Sequence, residues 1–105
     1  MRARTVLDAA VQEHEQRIRD LDHEEAVAIR GDGAILVAKA GIRSSILFSE
    51  VEHDRMRGAA VFTHNHPAGN SFSFQDVATA CMLEFGEIRV VTREWTHVLQ
   101  PGTNS

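Results

Sequence analysis

A single cysteine, Cys81, leaves no partner for an internal disulfide and excludes a cysteine-rich zinc site. Its neighbours in "ATACMLEF" are apolar, so a buried structural thiol is expected rather than a nucleophile. No apolar run reaches the length that spans a bilayer, and no apolar h-region opens the chain. Both absences point to a cytoplasmic protein with no membrane partner. A basic stripe is missing too. The arginines of "MRAR", "RIR" and "RMR" are interleaved with acids and the formal net charge is −4, which argues against nucleic acid as a partner. Repeats, linkers and low-complexity segments are also lacking.

What is present fits one small soluble domain. The 105 residues are 43% hydrophobic and 25% charged, the balance of a globular chain. A chain of this length buries only about two thirds of its unfolded surface, so a bound metal or a partner would add useful stability.

Residues 3–21 contain no glycine or proline, and Leu7, Val11, His14, Ile18 and Leu21 recur at a 4-3-4-3 spacing. This is one apolar stripe of an amphipathic helix, set to lie on the domain or on a second copy of it. "AVAIRGDGAILVAKAG" reads as a β-hairpin whose turn is Gly31-Asp32-Gly33. "AGIRSSILFSEVEHDRM" predicts a short strand and then a short helix. "GAAVFTH" predicts a buried strand that Pro67 ends. "SFQDVATACMLEF" predicts a helix with Ser73 as N-cap and Gly86 just past its end. "EIRVVT" and "WTHVLQ" form a closing hairpin around Arg93-Glu94, before a frayed "PGTNS" tail. The order of elements predicts an α/β fold, a mixed sheet flanked by helices.

The stretch "FTHNHPAGNSFSFQD" carries the chemistry. His64 and His66 stand two apart on a strand, so their imidazoles point to one face at a strand end, where binding sites are commonly built. Asp76, in the first turn of the next helix, is the natural third ligand. Two imidazoles and a carboxylate with one open position are the donor set of a catalytic zinc. "SFQD" also has the spacing of a capping box, with Asp in place of the usual Glu or Gln. The two uses are compatible, because a first-turn carboxylate can face a metal.

"HNHPAGNSFSFQD" resembles the JAMM (MPN-plus, JAB-domain) metalloprotease signature of His-x-His-Pro, a short loop and Ser-x-x-Asp. The likeness is to the prokaryotic RadC-like and phage- or toxin-associated branch, over roughly residues 22–99; the helix of residues 1–21 is less diagnostic. The loop before Ser73 is slightly shorter than the commonest family spacing. The resemblance implies a JAB/MPN, cytidine-deaminase-like architecture and one catalytic Zn2+ held by His64, His66 and Asp76. It implies that Ser73 stabilises the tetrahedral intermediate, and that an upstream glutamate acts as general base. Glu24 and Glu25 precede the first strand. Alternation lets at most one of them reach the metal. Counted back from the Gly-Asp-Gly turn, the likeness to relatives with Glu, a short apolar strand and then Asp-Gly implies Glu24, with Glu25 as the alternative.

The implied activity is metal-assisted hydrolysis of a peptide or isopeptide bond in a protein or peptide substrate, ubiquitin-like proteins among them. A homodimer or a fused partner domain, joined through the N-terminal helix, is the expected assembly. The other reading is a non-catalytic RadC-like or MPN scaffold or binding module of a larger protein. An HNH nuclease is excluded because its name refers to residues spread over a ββα motif and because the surface is acidic. A zinc deaminase would need His-x-Glu and Pro-Cys-x-x-Cys, which one cysteine cannot supply. His14, His23, His53 and His97 lack ligand spacing and are expected at the surface or in packing. Phe62 and Trp95 are expected in the core.

Overall fold

A computed structural model describes residues 2–100, with side chains from Thr5 onward; the "PGTNS" tail lies outside the described residues. The chain forms α1 (Arg2–Ile18), β1 (Glu25–Ile29), β2 (Ile35–Ala40), α2 (Glu50–Met56), β3 (Val61–Asn65), α3 (Phe74–Met82), β4 (Glu87–Val91) and β5 (Thr96–Leu99). The five strands make one mixed sheet in the order β2-β1-β3-β4-β5. β3 and β4 are parallel, and the other neighbours are antiparallel. The expected α/β class, with helices on a mixed sheet, is what forms.

Both faces of the sheet are covered, which explains why β1 and β3 read as nearly continuous apolar runs. On one face Leu7 and Val11 of α1 pack on Val27, Ile29 and Val61. On the other, Met56 of α2 and Ala80 of α3 join Ala26, Phe62, Phe85 and Ile88. Phe62 stacks on Phe85 with ring centroids 4.9 Å apart, so it belongs to the core as expected. The amphipathic stripe of α1 is thus used within the domain. Among the described residues no helix is long and apolar enough to cross a membrane.

A charged cluster under α1 was not foreseen. Glu15 is only 4% exposed; it receives Arg89 Nε at 2.6 Å and the Thr63 hydroxyl at 2.7 Å. Arg89 Nη1 also donates to Glu87 at 2.9 Å. The helical pattern placed Glu15 beside the stripe rather than on it, so only the partners on β3 and β4 reveal its burial.

Four expectations need correction. No strand forms between β2 and α2. The chain turns at Gly41, where Ile42 N–H donates to the Ser45 carbonyl at 2.9 Å, so no extended run remains. Cys81 is exposed, because Ala80 and Leu83 take the buried face of α3 and the intervening position is rotated outward. Trp95 is 65% exposed because it sits in the β4–β5 turn, where no sheet face receives its ring.

Gly86 does not cap α3. The left-handed residue after the helix is Glu84 (φ 60°), and bonds from Phe85 N–H to Ala80 O and from Glu84 N–H to Cys81 O complete a Schellman closure. Gly86 is small for another reason: a Cβ there would lie 2.8 Å from the Ala60 carbonyl oxygen. In the β1–β2 turn, Gly33 alone of the two glycines takes a positive φ, 90°.

Candidate metal centre

The site is assembled where β3 ends beside α3. His64 is on β3, and His66 follows its last residue, held by a hydrogen bond from its N–H to Val91 O of β4 at 3.0 Å. The intervening Asn65 faces the other way. Its Oδ1 accepts the Glu25 N–H at 2.7 Å, and its Nδ2 donates to the His23 carbonyl at 2.8 Å. That pair of bonds ties the approach to β1 to the end of β3.

After Pro67 the chain turns through Gly69 (φ 87°) and re-enters helix at Ser73. Ser73 Oγ accepts the Asp76 N–H at 3.0 Å, and Asp76 Oδ2 accepts the Ser73 N–H at 2.9 Å. The capping box is therefore real, and it orients the carboxylate. Asp76 Oδ1 lies 3.2 Å from His64 Nε2, and Oδ2 lies 3.3 Å from His66 Nε2.

Among the described residues, His64, His66 and Asp76 gather closely enough to hold a metal ion, with their ligand atoms all within 4.8 Å of one another. The state of the imidazoles fits that use. His66 Nδ1 is 3.0 Å from the Asn70 carbonyl, which fixes the proton on Nδ1 and leaves the Nε2 lone pair facing Asp76. His64 is 3% exposed, and neither of its ring nitrogens makes a hydrogen bond, although Nε2 is in ion-pair range of Asp76. A buried nitrogen without a hydrogen-bond partner costs free energy that a metal ligand bond would recover.

Burial pushes the Asp76 carboxyl up, but the two imidazoles outweigh it and hold the group well below the usual carboxylate range. Burial lowers the His66 imidazole, yet Asp76, the Asn70 carbonyl and Glu24 together leave it raised.

The two candidate glutamates separate by face. Glu25 turns toward α1, where Arg17 Nη1 donates to it at 2.7 Å and His23 Nε2 lies 3.1 Å away. Burial raises its carboxyl, but these two partners bring it below its ordinary value. Glu24 turns to the other face and lines the same cleft as the triad. The Ala26–His64 pairing, continued by one same-face step, sets Glu24 opposite His66. Burial raises the Glu24 carboxyl, the nearby imidazoles lower it, and the net direction is upward. A raised carboxyl beside histidines in a cleft has the electrostatics of a proton acceptor.

The cleft has a volume of about 420 Å3 and also admits Ser73, His53, Leu47 and Phe48. His53, expected only at the surface or in packing, forms part of this wall with its ring 6.4 Å from Phe48. The loop of residues 41–49 closes one side of the cleft. Its sequence carries no ligand spacing or turn pair that would have marked it.

No protein-family model, no curated protein and no solved structure matches this chain.

Proposed function

We propose that this chain is a zinc-dependent hydrolase of peptide or isopeptide bonds, of JAMM type and JAB/MPN architecture. One observation carries the reading: His64, His66 and Asp76 converge at a strand end, and Glu24, not Glu25, faces the same cleft. A zinc ion in this donor set supplies Lewis acidity toward a scissile carbonyl and toward water. Glu24 accepts the proton of the attacking water and delivers it to the leaving amine, a task suited to a carboxyl whose proton affinity is raised. Ser73 Oγ already accepts the Asp76 N–H, so its own O–H is available to donate to the developing oxyanion. Asn70 holds the His66 tautomer through its carbonyl. Phe48 and Phe62 wall the cleft beside the reacting groups.

Metal analysis of the purified protein is expected to give close to one zinc per chain, lost in the His64→Ala, His66→Ala double variant. Glu24→Gln is expected to retain zinc and lose hydrolysis of a peptide substrate by at least about 100-fold, the scale of general-base catalysis. Sustained turnover in Glu24→Gln rejects Glu24 as the base. Absence of zinc at a near-stoichiometric level favours the scaffold over the enzyme.

A further inference from the structure

The metal cleft does not stand alone. A second cavity, about 290 Å3, adjoins it and shares Glu24, Ser44, His66 and Asn70 with the larger one. The two spaces therefore meet at the proposed reacting groups, and beyond these their linings differ. They differ in chemistry. The larger ends on Ile46, Leu47, Phe48 and Phe62, an apolar wall. The smaller ends on Arg43, Pro67 and Ala68.

Arg43 is the one permanent cation among the residues lining either cavity. No hydrogen bond or ion pair engages its guanidinium among the described residues. Other cations near the loop are used, since Lys39 Nζ is 2.8 Å from Glu52. An unengaged guanidinium lining the same cavity as Glu24, in a protein of net charge −4, has a charge and a planar donor fork suited to an anion.

The loop that carries it is held to the site. Glu24 N–H donates to the Ile42 carbonyl at 2.9 Å and Gly41 N–H to the Glu24 carbonyl at 2.8 Å. Gly41 is required by close approach, because a Cβ there would run into the Ser45 carbonyl and Ile46. Arg43 is therefore placed relative to Glu24 by backbone bonds one and two residues away.

We infer that the site takes a peptide with a bulky apolar side chain on one side of the reacting bond and a carboxylate on the other, the apolar group lying against Leu47 and Phe48 and the carboxylate on Arg43. Whether the carboxylate is an acidic side chain or a chain terminus, the chemistry at Arg43 is the same. The assignment rests on the hydrolase reading for where the bond lies, but its binding preference can be measured without turnover.

The test uses zinc-loaded Glu24→Gln protein, in which turnover does not consume the ligand. Dissociation constants are measured for N-acetyl-phenylalanyl-glutamate amide against its glutamine analogue, and for N-acetyl-phenylalanyl-glycine as free acid against its amide. At least one carboxylate peptide is expected to bind about tenfold more tightly than its neutral match, and the arm that does so names the source. Adding Arg43→Ala, at an exposed position whose side chain has no hydrogen bond or ion pair among the described residues, is expected to remove that preference and leave the neutral peptides unchanged. Adding Leu47→Ser instead is expected to weaken all four peptides alike and keep the ratio.

Equal affinities within both pairs, a preference that persists without Arg43, or no binding of any peptide overturns the assignment. Absence of turnover by the wild-type protein, with the preference intact, sinks the hydrolase reading and leaves the recognition standing.

Discussion

At the scale of single residues, the site depends on side chains that serve two masters. Asp76 caps α3 through Ser73 and faces two imidazoles with the same carboxylate. This part was legible in the sequence, because i, i+2 alternation and cap spacing are local rules. The choice between Glu24 and Glu25 was less so. Alternation says that adjacent residues diverge, but not which face α1 will cover. Arg17 and His23 engage Glu25, and Glu24 is the one that lines the cleft. Asn65 is the quieter part of the arrangement, fully buried and bonded to both sides of Glu24. Asn65→Ala strands the Glu25 N–H and the His23 carbonyl. It is expected to cost about 2 kcal/mol in urea denaturation, the scale of leaving a buried polar group unpaired. Under the proposed hydrolase reading, turnover is expected to slow with little change in zinc content, since Glu24 would shift while His64, His66 and Asp76 would not.

At the scale of elements, the fold is a sheet clamped by α1 on one face and by α2 and α3 on the other. Periodicity announced α1, the hairpins, β3 and α3. It did not announce the loop between β2 and α2, where turn bonds around Gly41 replaced the expected strand. It also missed the ionic latch of α1. Glu15 and Arg89 are 74 positions apart, and no local rule pairs them. Arg89→Met leaves the Glu15 carboxylate buried with only the Thr63 hydroxyl, and strips Glu87 of a partner as well. Such a variant is expected to lose about 3–5 kcal/mol, read from chemical denaturation. Converting Glu15 to Leu in the same protein is expected to recover only part of that loss, because Glu87 still lacks its guanidinium.

At the scale of the whole molecule, a small chain gains from a ligand that binds only the folded state. The proposed zinc, at about 100 times its dissociation constant, would add about 2.7 kcal/mol, enough to move the melting temperature by on the order of 10 °C. The metal-free protein carries an opposite pH signature from the same groups. His66 is raised in the fold, so its contribution is complete below the unfolded value of about 6.5 and is lost as pH rises through the folded value. Asp76 is lowered, so its contribution is present above about 3.9 and is lost as pH falls toward its folded value. Zinc needs neutral imidazoles, so the increment it adds should grow with pH over the range where the metal-free form weakens. Melting curves in chelator and in zinc, from pH 5 to pH 8, check both slopes; an increment independent of pH rejects imidazole ligation.

The sequence by itself determined the things that follow from neighbours along the chain. These are the elements with clear periodicity, the shared face of His64 and His66, and the cap that starts α3 at Ser73. Tertiary structure alone decided which glutamate meets the triad, that Glu15 is buried on Arg89, that Cys81 and Trp95 face solvent, and that Arg43 stands beside the cleft. The physical reason is the range of the interactions. Alternation, helical period and capping act within a few residues, whereas burial and ion pairing depend on which distant surface arrives, and no spacing in the chain encodes that arrival.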